Sequence, residues 1–393
     1  MQYRIDKRTG NQISALGYGC MRFPRSMEAT EALIKKSIEE GINYFDTAYL
    51  YGTSEEKLGQ ILEKNGWRED IYIATKLPLF FCHTVADFDK YFSRQLSRLR
   101  TEYIDYYLMH MITDMAQWKK LCVWGIEAWI AQKKEEGKIK QIGFSFHGSQ
   151  GDFLEILSSY DWDFCQIQYN YSDENYQAGV TGLKAAAEKD IPVIIMEPLL
   201  GGKLVTGLPT KALSIFQETN KEFTPAGWGL RWLWDQPEVT CVLSGMNDMA
   251  QLEDNIHVAN ITMQNTLTQE EKDTYQAVKK VFFESYKIPC TGCAYCMPCP
   301  QNVNIPACFS AYNASYTVSR VEGLKQYYMS VGGISETRSL SSLCVQCGKC
   351  EKHCPQNIHI IEGLKSVRKK MEPAISKPML SIARRFLHRN KGE

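Results

Sequence analysis

From Ile13 to about Asn260 the sequence alternates short β-rich runs with apolar residues at helical spacing, a pattern that leaves few folds open. The runs are Ala15-Met21, Ile42-Thr47, Ile71-Lys76, Ile104-His110, Ile139-Ser145, Phe164-Tyr169, Pro192-Met196 and Val239-Leu243. Between them Met27-Glu40, Ser54-Lys64, Val85-Arg100 and Gln117-Glu136 read as helices, with Gly41 and Gly137 where C-terminal caps belong. Eight evenly spaced βα units in about 250 residues fit a closed (β/α)8 TIM barrel better than an open doubly wound sheet. Tyr3-Asp6 and Ile13, joined through Thr9-Gly10-Asn11, predict a small hairpin before it.

Beyond the eighth unit, Thr268 and Glu271 form a T-x-x-E capping box that opens a helix to about Tyr286. Cysteines then crowd the chain: Cys290, Cys293, Cys296 and Cys299-Pro300, followed by Cys344, Cys347, Cys350 and Cys354-Pro355. Nine of the 14 cysteines fall between Cys290 and Cys354, and the second run has the C-x2-C-x2-C-x3-C-P spacing of bacterial ferredoxins. In that pattern the fourth cysteine serves the other cluster. Cys290, Cys293 and Cys296 would then hold one [4Fe-4S] cubane with Cys354, and Cys344, Cys347 and Cys350 the other with Cys299. Only Met297 and Pro298 separate Cys296 from Cys299, one residue fewer than the pattern, so the places of Cys290 and Cys299 stay open. C-x2-C pairs also suit zinc; eight cysteines, each run closing on Cys-Pro, favour iron. Cys308 reads as a small buried hydrophobe.

The expected division is therefore α/β: a barrel over residues 1–265, a linking helix over 266–286, a ferredoxin-like 2[4Fe-4S] module over 287–371 and a basic tail over 372–393. From Cys290 to about Met371 long periodic segments look scarce, as in a module held by its clusters. The tail, with Met379, Ile382, Ala383 and Phe386 at helical spacing, reads as a terminal helix or a solvated arm, the alternative being contact with a partner or an anionic membrane surface.

Lys+Arg and Asp+Glu both count 45, so no global field draws the chain to nucleic acid or lipid. The first residues lack an apolar signal region, and no run nears the roughly 18 apolar residues of a membrane span. A cytoplasmic protein with reduced thiols is expected.

In a TIM barrel, polar residues at the C-terminal ends of strands are the catalytic candidates. Asp46, Lys76 and His110 end the second, third and fourth runs, and Tyr51 follows Asp46 in its loop. Asp46-Thr-Ala-Tyr-Leu-Tyr51-Gly52, Ala-Thr-Lys76-Leu and Tyr-Leu-Met-His110 resemble the catalytic tetrad of the aldo-keto reductases over roughly residues 1–260. With the cysteine module appended, the whole chain resembles the ferredoxin-domain-containing branch of that superfamily.

The resemblance implies hydride transfer between a nicotinamide ring and a small carbonyl or alcohol. Tyr51 would be the proton donor; its ordinary pKa is about 10, and the Lys76 ammonium would favour the phenolate. Asp46 would hold Lys76 charged, and His110 would orient the carbonyl oxygen. Ser145 and Gln168 stand where the family holds the nicotinamide carboxamide, beside Phe146 where Asn is common. Met196 stands where an aromatic often stacks on the ring. Pro198, Leu199 and Gly201 follow it, and Glu197 is either a buried carboxylate or a loop hydrogen-bonding residue. Ser244, Gly245, Met246, Gln251, Asp254 and Asn255 resemble the phosphate and adenine segment. Gln251 replaces a common Arg, which leaves NAD(H) and NADP(H) both open.

A hydride carries two electrons, whereas a cubane passes one at a time. Three roles remain for the clusters: relay to a flavoprotein or ferredoxin partner, direct action on a substrate, or stapling of the module. An electron-transfer subunit whose barrel is a docking scaffold is the rival function; the intact tetrad argues against it.

Overall fold

The computed structural model describes residues 1–284, 286–290, 292, 296–317, 319–331, 338–354 and 357–373. Cys293 and nearly all of the basic tail lie outside the described residues.

Strands β1 (Tyr3–Ile5) and β2 (Gln12–Ser14) pair antiparallel as the expected hairpin. Eight parallel strands then close a barrel: β3 (Leu16–Gly19), β4 (Tyr44–Asp46), β5 (Tyr72–Leu77), β6 (Ile104–Ile112), β7 (Ile139–Phe146), β8 (Phe164–Gln168), β9 (Val193–Met196) and β10 (Val239–Ser244). β10 pairs with both β9 and β3, so no edge is left. The hairpin closes the N-terminal end. Ile13 joins Tyr44, Tyr106 and Phe164 in the barrel interior, and the Tyr106 hydroxyl donates to Asp6 Oδ2 at 2.9 Å while accepting from Asn11 Nδ2 at 3.2 Å.

The period of two along each strand decides where polarity falls. Tyr44, Ala74, Tyr106, Leu108, Phe164 and Ile194 face inward as an apolar floor. Asp46, Lys76, His110, Gln166, Gln168 and Met196 lie two or four residues further along the same faces and gather above that floor.

Two details depart from the sequence reading. The segment expected as one helix over 117–136 is two, Met115–Val123 and Ile126–Glu135, because Gly125 takes a left-handed conformation (φ 85°) between them. The cysteine module is also richer in helix than expected, with Ile305–Thr317, Arg320–Ser330 and Ile360–Met371 around a core of Val303, Phe309, Tyr327, Val331, Leu364 and Val367. Ten of the 13 residues in Ile305–Thr317 are buried. A helix enclosed on nearly every side carries no apolar stripe to read. Its partner crosses it closely at Gly323, where a Cβ would lie 2.5 Å from Ser315 Cβ.

The linking helix, Gln269–Glu284, opens with the reciprocal cap: Thr268 N donates to Glu271 Oε2 at 2.8 Å, and Glu271 N to Thr268 Oγ1 at 3.2 Å. Arg231 grips the same carboxylate through Nε and Nη2 at 3.0 and 3.1 Å, tying this helix to the barrel. Tyr176, from the loop after β8, is buried within the module's core, and its hydroxyl lies 2.7 Å from Ser330 Oγ. The module therefore rests on the C-terminal mouth of the barrel.

Because this core is the module's own, Phe309→Ala is expected to destabilise it by about 3–5 kcal/mol. Urea unfolding followed by cluster absorbance should show the loss, with the barrel's far-UV transition little moved.

Candidate active site and cluster ligands

The Lys76 ammonium is fully buried and donates to Asp46 Oδ1 and Oδ2 at 2.6 and 2.7 Å and to the Thr47 carbonyl at 2.8 Å. Gln166, which the sequence reading passed over, donates through Nε2 to Asp46 Oδ2 at 2.9 Å. Its place two residues before Gln168 on the inward face of β8 was the available signal. Lys76 Nζ lies 5.3 Å from the Tyr51 ring centroid, and the Tyr51 and His110 rings meet edge-on at 6.2 Å. The four expected residues thus share one site.

Strand β6 slips register between Met109 and Ile112, and Met111 takes a positive φ of 61°. Such a bulge re-aims side chains at a strand end, and here it falls at His110. Ser145 Oγ secures it by accepting from Met111 N at 2.8 Å. His110 Nδ1 is buried without a hydrogen-bond partner.

Burial sets the protonation states. The Tyr51 phenol is pushed well up by burial, with the Asp46 and Glu197 carboxylates adding. Against the lowering expected from Lys76, the net direction for Tyr51 is upward, with burial as its largest cause. His110 is pushed well down by burial, then by Lys76 and His147, and stays a neutral imidazole. His147 is pushed down to about 4 by burial, with Lys325 and Lys76 adding. Glu197, at a positive φ of 52° just past Met196, opens onto the cleft. The surrounding protein raises its carboxyl despite the pull of Lys325, Lys203 and Arg22.

The expected cofactor residues lie at the ends of β7 to β10. Gln168 Oε1 accepts from Gln177 Nε2 at 2.9 Å. Met196 is half-buried at the end of β9, Pro198 is buried and Leu199 half-buried after it, and the Gly201 carbonyl accepts from Arg22 Nη1 at 3.3 Å. Ser244 Oγ accepts from Asn255 Nδ2 at 2.9 Å, Tyr18 donates to the Met246 carbonyl, and Asp254 Oδ2 accepts from Thr224 Oγ1 at 2.7 Å. Gly245 lies between Ser244 and Met246 in the turn after β10. The helix Met249–Ile261 is capped by Asp248, whose Oδ1 accepts from Gln251 N at 2.9 Å and whose Oδ2 accepts from Gln251 Nε2 at 2.6 Å. At the end of β8, Asn170 Nδ2 and Gln177 Oε1 are buried without partners, one donor and one acceptor.

In the module, Cys299 joins Cys344, Cys347 and Cys350 around a cavity of about 180 Å³, with Cys296 also on its wall. The shortened spacing therefore still brings Cys299 to the second run. Cysteines gathered around one space are the soft donor set that an iron–sulfur cluster needs. Cys290 and Cys354 pack beside the module's core; Cys308 is fully buried within it, and burial raises its thiol.

Residues 15–278 match the aldo/keto reductase family, two-thirds of the chain. The chain belongs to the aldo/keto reductase family. Residues 289–359 match the 4Fe-4S dicluster domain, so this aldo/keto reductase carries a C-terminal iron–sulfur domain. It is 27% identical over 300 residues to the uncharacterized oxidoreductase YqkF of Bacillus subtilis, covering 68% of this chain and 93% of that one. It is 24% identical over 317 residues to the aldo-keto reductase yakc [NADP(+)] of Schizosaccharomyces pombe, covering 68% and 90%. The solved holo form of aldo-keto reductase AKR11C1 from Bacillus halodurans superposes with a TM-score of 0.60 at 24% identity, covering 71% and 96%, a likeness of fold. No helix among the described residues is long and apolar enough to cross a membrane.

Two predictions follow from the electrostatics. Lys76→Met strands the Asp46 carboxylate and is expected to cost about 3–5 kcal/mol in urea unfolding; adding Asp46→Asn should recover much of it. Because the native state binds fewer protons at His147 than the unfolded chain does, that residue's contribution is complete above about pH 6.5 and is lost as pH falls toward about 4. His147→Gln should flatten that part of the stability–pH curve. Asp173, pushed up to about 6 by burial, acts with the opposite sign, so the comparison with the unaltered protein is the informative one.

Proposed function

We propose that the barrel interconverts small carbonyl compounds and alcohols by hydride transfer with a nicotinamide cofactor. The observation that carries this is the buried Lys76–Asp46 pair beneath Tyr51 and His110. A carbonyl oxygen gains negative charge as hydride arrives and needs a proton and fixed donors. Tyr51, kept protonated by its surroundings, holds that proton on its hydroxyl. His110, neutral and with Nδ1 unpartnered, orients the oxygen. Asp46, itself held by Gln166, fixes Lys76 below them.

When bound, the nicotinamide supplies or accepts the hydride. Ser145, Gln168, Met196, Pro198, Leu199 and Gly201 hold its ring end, where the unpartnered Asn170 donor and Gln177 acceptor suit a carboxamide. Ser244, Gly245, Met246, Gln251, Asp254 and Asn255 hold the adenosine end. The Asp248 carboxylate beside Gln251 repels a 2′-phosphate, which favours NAD(H) over NADP(H).

In the module, Cys299, Cys344, Cys347 and Cys350 hold one [4Fe-4S] cluster, and Cys290, Cys293, Cys296 and Cys354 a second. Such clusters pass single electrons, here to or from a flavoprotein or ferredoxin in the cytoplasm. An apolar core of its own relieves the module of needing clusters as its only staple, which supports the redox role. The working units are the barrel over 1–265, the linking helix over 266–286, the cluster module over 287–371 and the tail over 372–393.

Tyr51→Phe should lower kcat for carbonyl reduction by about 10²–10⁴, while NADH still binds in a fluorescence titration and more tightly than NADPH. Unchanged turnover would sink the mechanism.

A further inference from the structure

The cysteine module has two different faces. Cys290 and Gly292 lie toward the barrel: a Cβ on Gly292 would sit 3.8 Å from the Asn175 carbonyl oxygen, and Cys290 is near Tyr286, which is in turn near Asp173. Cys296 and Cys299 line the cavity with the second run. The second opens outward. Cys347 is exposed at the rim of the cavity it shares with Cys299, Cys344 and Cys350, and Val345 beside it is 60% exposed.

Charge is uneven there as well. Across residues 296–317 and 338–354 the chain has three Lys/Arg (Arg338, Lys349 and Lys352) and one acidic residue, Glu351. Lys349 and Lys352 are exposed. Glu351 turns inward, its Oε1 accepting from Ile361 N at 2.9 Å. In a chain whose formal charges cancel, Lys349 on the cavity wall and Lys352 three residues on put exposed positive charge close in the chain to exposed Val345.

We propose that this face, centred on Val345 and Cys347 and flanked by Lys349 and Lys352, docks an acidic one-electron carrier protein. The proposal rests on the redox reading given above and adds where the electron crosses. Opposite charge steers the encounter, the small apolar spot supplies the weak contact of a transient redox pair, and the cluster that Cys347 would help to hold would exchange one electron per encounter. The reduced cluster loses that electron and the carrier's flavin or iron gains it. Cys290, toward the barrel, stays on the catalytic side.

The experiment uses the full chain with clusters loaded and reduced anaerobically. Cluster oxidation is followed by stopped-flow absorbance with oxidised flavodoxin as the acidic protein probe, and with hexacyanoferrate(III) and hexaammineruthenium(III) as small anionic and cationic oxidants. Flavodoxin and hexacyanoferrate should react faster at low than at high salt. The double variant Lys349→Glu/Lys352→Glu should slow flavodoxin about tenfold or more and speed hexaammineruthenium. Arg at both positions should preserve the original rates, and Lys138→Glu on the barrel should change nothing. If flavodoxin oxidation ignores both salt and charge reversal while hexacyanoferrate still oxidises the clusters, the docking face is wrong and the redox reading stands. If no oxidant touches the clusters, the redox reading itself fails. Should the double variant lose its iron, the salt dependence of the unaltered protein decides, its absence overturning the proposal.

Discussion

Closure of the barrel is the constraint on which everything else rests. Eight parallel strands satisfy their backbone groups only because β10 returns to β3, and closure forces alternate residues of each strand into a narrow interior. Near the N-terminal end that interior is filled by aromatic and aliphatic side chains and plugged by the hairpin, with Asp6 and Asn11 satisfying the buried Tyr106 hydroxyl. A floor packed this densely leaves polar groups one place to go on the same faces, the C-terminal mouth. The site is a product of the same period that builds the core.

At the mouth, electrostatics follow from how little water remains. A buried ammonium is tolerable only when paired and fully hydrogen-bonded, and Lys76 has both carboxylate oxygens of Asp46 and the Thr47 carbonyl around it. Burial keeps Tyr51 as a phenol, and burial with the nearby lysine ammonium groups adding keeps His110 and His147 as neutral imidazoles. Such a site stores its proton on oxygen and presents neutral donors, as reduction of a carbonyl requires.

The cluster module is coupled to the barrel by structure. Tyr176 leaves the barrel to complete the module's core, and Lys325 on the helix Arg320–Ser330 lies near enough to act on Glu197 and His147 at the cleft. Gly292 approaches the barrel while Cys347 meets solvent, which gives the module an inner and an outer face.

Much was readable in the chain alone because it rests on local chemistry. Alternating runs, glycine caps and the Thr268–Glu271 box announced the barrel and its linking helix, and strand-end Asp46, Lys76 and His110 announced the site. The C-x2-C rhythm marked the cluster region without any fold. Where burial hid the pattern, the reading failed: Ile305–Thr317 is enclosed on nearly every side, and Gln166 looked like one more residue of a buried strand. The sequence by itself determined which residues alternate inward and which thiols come in runs, since those are matters of spacing. Only the tertiary structure decided that Cys299 reaches the second run, that Asp46 closes on the buried Lys76 ammonium, and that the module sits on the mouth. Each of those depends on distances between residues far apart in the chain.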